Sequence, residues 1–183
     1  LRERGIPPTS VAKMKPWMIA SLVALPACEL ARKAAGAPVL DTMLAAEAET
    51  AGKRLAGLES AADQLAAMAS LPMEFHLRGL VDTLKLGERI DDVIETMIVL
   101  WLEGGTGTFW PFFRAVLPAG DEGGFAAFEE TMVTARNRTM AEAAAPFLDE
   151  GGAFVAVGAL HLPGPEGLVS LLREAGYRVE AAK

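Results

Sequence analysis

Residues 152–179 read GAFVAVGALHLPGPEGLVSLLREAGYRV, and they contain the clearest alternation of secondary structure in the chain. The apolar run at 153–158 has the length of a buried strand, PEGLVSLLREAG has helical spacing, and YRVEA returns as a second strand. A strand, a helix and a strand form a βαβ unit, with parallel strands and a right-handed crossover. We therefore predict a βαβ unit over residues 152–181.

Upstream of this unit the sequence predicts mainly helices. The short apolar segment 54–58, between Gly52 and Ser60, predicts one further buried strand. Residues from about 60 to 150 are predicted to form a large helical lobe between that strand and the βαβ unit. The predicted fold class is therefore helix-rich α/β with a small, mainly parallel sheet. The length, 183 residues, predicts a single domain.

Composition excludes several classes of protein. The formal net charge of −7 argues against nucleic acid as a partner, because phosphate binding needs a basic face. The longest apolar stretch, residues 17–28, is too short to cross a bilayer and contains Pro26, so no transmembrane segment is predicted. A single cysteine, Cys28, and two histidines exclude an intrachain disulfide and the usual multi-Cys or multi-His zinc sites.

The first residues, LRERGIPPTS, have neither an initiator methionine nor the apolar region of a signal peptide. We therefore expect the chain to be the C-terminal part of a longer protein. If an upstream strand normally pairs with the predicted sheet, its loss would expose an apolar edge, and such edges recruit other chains. This reasoning predicts a homodimer or a domain-swapped oligomer.

His161 follows the predicted strand at 153–158, where ligands gather in open α/β sheets. Gly158 allows the backbone to turn away from the strand without a clash at Cβ. An imidazole in this place can ligate a metal, act as a general base or bind substrate. The alternative is a histidine packed under the turn, with its ring nitrogens bonded to backbone carbonyls.

Arg136 lies near the centre of an apolar helix face, whereas Arg138 points away from that face. The apolar residues of this face are Phe125, Phe128, Met132, Met140 and Ala143. An arginine directed at a core stays charged, so it must be paired, line a polar cavity or extend its head to solvent. Glu129 is a possible local partner, but Glu59, at the end of the predicted strand 54–58, is the better candidate. Glu59 could alternatively serve only to cap the helix that follows it.

Three motifs, in this order and spacing, resemble the TraB/GumN family, also called TraB/PrgY/GumN. They are GLES (57–60), ARNRTM (135–140) and the stretch 154–179. The segments KPWM (15–18) and WLEGG (101–105) are similar to those of GumN-like bacterial members. Animal relatives in this family include the TIKI proteins, membrane-tethered metal-dependent proteases that cleave Wnt ligands.

The resemblance implies a G-x-x-H motif that occurs twice, the second time at 158–161, together with acidic residues and an Arg-Asn pair. It assigns catalytic roles to Glu59, Arg136 and His161 and substrate-binding roles to Asn137 and Gly158. His161 and Glu59 would also ligate a divalent metal, which could be manganese, cobalt or zinc, in the full-length protein.

This chain lacks the first G-x-x-H motif, so we expect it not to hold the metal alone. His76 does not replace the missing histidine. It lies mid-helix in PMEFHLRGL, without the context of a strand and a turn, and is predicted to be a surface or packing residue.

Two functional classes follow from the resemblance. The first is a metal-dependent hydrolase of peptides or proteins, in which His161 ligates the metal or positions its water. In that reading Glu59 is a ligand or general base, and Arg136 stabilises the oxyanion. The second is a non-catalytic module that binds a peptide or a signalling molecule in the same pocket. Similarity to exported bacterial members implies an extracytoplasmic location.

Overall fold

A computed structural model describes residues 1–2, 6–116 and 122–182, and the regular secondary structure of these residues is helical throughout. The α-helices are α1 (Pro8–Val11), α2 (Pro16–Val23), α3 (Ala27–Ala34), α4 (Leu40–Thr50), α5 (Ala61–Ser70), α6 (Met73–Leu86), α7 (Arg89–Leu102), α8 (Phe109–Val116), α9 (Glu122–Glu129), α10 (Ala135–Glu150) and α11 (Leu168–Glu174). Further helical segments within the described ranges include the 3₁₀ turns Thr106–Thr108 and Ala159–His161 and a π-helical segment, Glu130–Thr134. Residues 117–121 of the predicted helical lobe lie outside the described ranges. Among the helices described, none has the length and apolarity that a membrane span requires.

Two prolines divide the N-terminal region into short helices. Pro16 is the first residue of α2 and Pro26 immediately precedes α3, and at both positions the missing N–H costs no helical hydrogen bond. α2 packs against α6, and Val23 at its end is among the most deeply buried side chains. This packing attaches the N-terminal region to the helices that follow.

The helix ends around the candidate site are set by local sequence signals. Ser60 Oγ accepts a hydrogen bond from the backbone N–H of Asp63, and Asp63 Oδ2 accepts one from the backbone N–H of Ser60. This capping box begins α5. Gly87 ends α6 with a φ of +55°, in the region that favours glycine. The cap on α5 holds the preceding residue, Glu59, in a defined place.

The π-helical segment joins α9 to α10 in one continuous helical rod. On the α9 side, Phe128 stacks on Phe75 of α6 with ring centroids 5.6 Å apart. It also meets Trp110 of α8 edge-on at 6.2 Å. On the other side of the π-helical segment, Arg136 and Asn137 occupy the first turn of α10. The aromatic contacts therefore fix the rod from which the candidate site residues project.

The described residues contain no sheet, so the predicted α/β fold class and the βαβ unit over residues 152–181 are wrong. The predicted strands at 54–58, 153–158 and 177–181 have no regular secondary structure, and no backbone hydrogen bond joins them. The physical reason is that an apolar run favours an extended backbone, whereas a strand also needs a neighbour for its N–H and C=O groups. Of the predicted unit only the helix is present: α11 packs on α10 instead of covering a sheet.

These three segments all adjoin the C-terminal end of α10. Arg54 Nη2 donates to Glu150 Oε2 at 2.7 Å. The hydroxyl of Tyr177 donates to Asp149 Oδ1 at 2.5 Å, and residues 153–158 follow α10 directly. The end of α10 is therefore the point at which distant parts of the sequence meet.

Candidate functional site

The candidate site is built around an ion pair between Glu59 and Arg136. Arg136 Nε donates to Glu59 Oε2 at 2.9 Å, and Arg136 Nη2 donates to the other carboxylate oxygen, so the contact is bidentate. The side chain of Arg136 is only 18% exposed and that of Glu59 only 11%. Glu59 precedes the cap of α5 and Arg136 lies in α10, so the pair joins elements 77 residues apart in sequence.

Further hydrogen bonds hold both members of this pair. Arg136 Nη1 donates to the backbone carbonyl of Met132, within the π-helical segment, at 2.8 Å. Gln64 Nε2, from the first turns of α5, donates to Glu59 Oε1 at 3.0 Å. A guanidinium has five N–H groups, and three are used here, so one remains on each terminal nitrogen.

Asn137, the residue after Arg136, holds the ring of His161. Its Oδ1 lies 2.6 Å from His161 Nδ1, and its Nδ2 donates to the backbone carbonyl of Glu166 at 2.7 Å. Asn137 is only 2% exposed, and His161 is largely buried as well. The Arg-Asn pair therefore contacts two different partners from adjacent positions of one helix.

This geometry determines which nitrogen of His161 is free. Since the amide nitrogen of Asn137 faces a carbonyl, its oxygen faces the ring and accepts a hydrogen bond from Nδ1–H. The other ring nitrogen, Nε2, forms no hydrogen bond within the described residues, yet it is not a buried unpaired atom. His161 thus keeps an unprotonated Nε2 with no hydrogen-bond partner among the described residues, and that atom can accept a proton or ligate a metal.

The charges in the cluster shift two pKa values. Hydrogen bonding by the Arg136 guanidinium lowers the pKa of Glu59, although burial acts in the opposite direction. Burial lowers the pKa of His161; the positive charge of Arg136 adds to this effect and the negative charge of Glu59 opposes it. Both shifts favour a charged carboxylate beside a neutral imidazole at neutral pH.

The turn that carries His161 is closed by an acidic residue that sequence reasoning missed. The carboxylate of Glu166 pairs with the exposed side chain of Arg138, while the backbone carbonyl of Glu166 accepts a hydrogen bond from Asn137. The only signal was the spacing of Arg138 two residues after Arg136, on the opposite side of the helix. Glu166 thus joins the turn after His161 to α10 at two points.

Two glycines shape the same turn. A Cβ on Gly167 would lie 2.2 Å from the carbonyl oxygen of Pro163 and 2.4 Å from that of Leu162, so no other residue fits without movement. A Cβ on Gly158 would meet Cδ2 of His161 at an ordinary 3.5 Å. Gly158 contributes its carbonyl, which accepts the backbone N–H of His161 at 2.9 Å. Substrate binding by Gly158 and Asn137 stays a prediction.

The side chains expected to form the site make two hydrogen-bonded pairs, Glu59 with Arg136 and Asn137 with His161. Arg136 and Asn137 are adjoining residues of α10 and supply one member of each pair. His76 lies elsewhere, buried in α6 as a packing residue, and its Nε2 is without a hydrogen-bond partner. The two pairs are linked because Arg136 and Asn137 are adjacent residues. They are also linked because the charges of Arg136 and Glu59 affect the pKa of His161.

The cluster is a poor fit for a divalent metal on its own. Within the described residues there is no group of three or more His, Cys, Asp or Glu side chains placed to hold one. Both oxygens of Glu59, one of the two expected ligands, are already bound to Arg136. That leaves His161 Nε2 as the single unengaged ligand in the cluster.

Together, these features define a helix-rich protein with a largely buried Glu-Arg pair beside a histidine that an asparagine orients. The chain matches the model of the TraB/PrgY/gumN family over residues 1–181, and it belongs to this family. The resemblance seen in its motifs is therefore confirmed. Comparisons with curated proteins and with solved structures gave no match.

Proposed function

We propose that this chain carries residues of a hydrolytic site for peptides, with His161 as the proton acceptor. The observation that carries the proposal is the orientation of the ring: Asn137 holds Nδ1–H, and Nε2 is left unprotonated and without a partner among the described residues. The lowered pKa of His161 keeps this base neutral near pH 7. The peptide substrate class rests on the resemblance to the TraB/GumN family, in which the TIKI relatives are proteases.

In the proposed reaction, Nε2 of His161 takes a proton from water as the water oxygen attacks the carbonyl carbon of the scissile peptide bond. The remaining N–H groups of Arg136 donate to the oxyanion that forms. The imidazolium then returns its proton to the leaving amine as the carbon–nitrogen bond breaks. Glu59 positions Arg136 through the bidentate contact and does not act as the base, because its own pKa is lowered.

The family resemblance also implies a divalent metal, manganese, cobalt or zinc. The described residues do not supply enough ligands for one, so no step above depends on a metal. We expect the isolated chain to retain no stoichiometric manganese after dialysis, which elemental analysis by mass spectrometry can measure. Retained metal would show that ligands outside the described cluster take part.

The test is hydrolysis of a quenched fluorescent peptide library, with EDTA or added manganese, by this chain and by the chain with any natural flanking sequence. His161→Gln should lower turnover by about 100-fold or more. The matched control is His76→Gln, which changes the chain's other histidine and should leave turnover unchanged. Loss of activity in both variants, or in neither, would contradict the proposed role of His161.

A second candidate is peptide binding without cleavage. One observation favours it: Glu59 is the only acidic side chain among the four site residues, and Arg136 and Gln64 already donate hydrogen bonds to its carboxylate. This leaves no carboxylate to ligate a metal or to act as a second acid–base group. Saturable, metal-independent binding of the library peptides without turnover would support this candidate over hydrolysis.

A further inference from the structure

The hydrogen bond between Asn137 and His161 does not by itself decide which ring nitrogen carries the proton. The ring can donate through Nδ1–H to the amide oxygen, or an unprotonated Nδ1 can accept from the amide nitrogen. A half-turn of the Asn137 amide exchanges the two arrangements, and both satisfy the 2.6 Å contact. Only the first arrangement leaves Nε2 unprotonated, so a third group must make the choice.

That third group is the main-chain carbonyl of Glu166. A carbonyl oxygen accepts hydrogen bonds and cannot donate them, so its 2.7 Å contact with Asn137 must come from the amide nitrogen. The amide oxygen then faces His161, and Nδ1 carries the proton. Asn137 is only 2% exposed, so water has little access to replace either partner. The place of one carbonyl therefore selects the tautomer of His161.

An ion pair ties the turn that contains this carbonyl to α10. The side chain of Glu166 is exposed, and its carboxylate accepts a hydrogen bond from Arg138 Nη2. Arg138 Nη1 donates to Glu130 Oε1, in the π-helical segment, at 2.9 Å, so one guanidinium joins two carboxylates. Arg138 thus holds the residue whose carbonyl orients its own neighbour, Asn137.

We propose that Arg138 is a positioning residue that fixes the tautomer of His161 through Glu166. It acts by keeping the Glu166 carbonyl against the amide of Asn137. The inference rests on the proposed hydrolytic function only for its consequence, because an Nε2 that carries the proton cannot accept one from water. The tautomer itself can be measured without any turnover.

Heteronuclear NMR of the His161 ring nitrogens reports the tautomer near neutral pH, where the lowered pKa keeps the ring neutral. Nδ1–H should predominate in the wild type. In Arg138→Gln the ratio of Nδ1–H to Nε2–H should fall about 5-fold, the effect of one ordinary hydrogen bond. Arg114→Gln is the matched control, because it breaks another exposed ion pair, with Glu129, and should leave the ratio unchanged. Circular dichroism should show the same helix content in both variants, since exposed ion pairs add little to stability.

A double-mutant comparison tests the route through Glu166. Glu166→Gln keeps the main-chain carbonyl but removes the charge, so it should lower the ratio as Arg138→Gln does. The double variant should lower it no further than either single variant, whereas independent, additive effects would contradict the proposal. A wild type with mainly Nε2–H, an unchanged ratio in Arg138→Gln, or an equal change in Arg114→Gln would overturn it.

Peptide hydrolysis by the same variants separates this inference from the proposed function. Turnover of Arg138→Gln should fall in proportion to the lost Nδ1–H population, since only that tautomer can accept a proton at Nε2. Turnover lost with an unchanged tautomer would refute the positioning role and leave hydrolysis standing. A tautomer that shifts in a chain without turnover would support the positioning role and count against the hydrolytic function.

Discussion

Among individual residues, Arg136 has the most informative environment. It is a charged side chain on an otherwise apolar helix face, and a buried acidic partner is one of the outcomes that this placement allows. Glu59 provides it through two hydrogen bonds. Glu166, in contrast, holds Asn137 through its main-chain carbonyl, which any residue type would present, so the residue type gives no signal for that contact. The only signal for Glu166 is the position of Arg138, with which its carboxylate pairs.

Replacing Arg136 with Met should destabilise the fold and raise the pKa of Glu59. The carboxylate would stay largely buried without its cation, which we expect to cost about 2 kcal/mol of unfolding free energy. Urea unfolding measures the loss, and NMR titration of the Glu59 carboxyl measures the pKa. In the double variant Glu59→Leu/Arg136→Met much of the stability should return, because no charge is left unpaired; two independent, additive losses would refute the coupling.

Stability should fall on acidification in two separate steps. The pKa of His161 is lowered in the folded state, so the unfolded state takes up its proton first, and stability is lost as pH falls below about 6.5. The pKa of Glu59 is also lowered, and its contribution is present above about pH 4.3 and lost as pH falls through the folded value. Denaturant unfolding across this pH range measures both steps.

The matched variants separate the two histidines. His161→Gln should remove the upper step and leave the lower one in place, whereas His76→Gln should retain both because His161 is intact. An upper step that survives in His161→Gln would mean that another group causes it.

At the level of secondary-structure elements, helices were predicted where side chains act on their own backbone. Ser60 with Asp63 begins α5, and Gly87 separates α6 from α7, because caps and left-handed glycines are local effects. Asp41 does not cap α4, because that helix begins at Leu40, with Val39 as its N-cap. The strand predictions were wrong for the opposite reason, because strand pairing depends on segments that are remote in sequence.

Gly167→Ala should disturb the turn that carries His161. The added methyl group would overlap the carbonyl oxygens of Pro163 and Leu162, so the turn must open and move Glu166 away from Asn137. We expect a loss of about 2–4 kcal/mol in unfolding free energy and a shifted His161 ring resonance by NMR. Gly79→Ala, inside α6 with no atom near its Cβ, is the control and should stabilise by about 0.5–1 kcal/mol.

For the molecule as a whole, burial is uneven. Helices α3, α4 and α5 contain no buried residue, whereas α6, α7 and α10 each contribute at least two. A length of 183 residues is enough for a substantial core, but neither length nor composition says where the apolar residues lie. The exposed apolar side chains include Val39, Leu65 and Leu102. Which helices contribute buried residues to the core therefore could not be derived from composition.

Hydrogen exchange should reproduce this uneven burial. Amides of α10 and α6 should exchange most slowly, and those of α3, α4 and α5 should exchange much faster, since few buried contacts oppose their local opening. Mass spectrometry of exchanged peptides measures the difference. Similar protection in α4 and α10 would be incompatible with the described packing.

The π-helical segment Glu130–Thr134 has a consequence for how this chain tolerates insertions and deletions. On one side of it Phe128 must face α6 and α8, and on the other side Arg136 must face Glu59. Each residue of an α-helix turns the chain by about 100°. Loss of one residue between Phe128 and Arg136 would therefore rotate these two side chains relative to each other, so that only one of them could still face its partners. Substitutions at these five positions preserve that phase, whereas a single-codon deletion does not. The spacing of the segment should consequently be under stricter constraint than the identity of its residues.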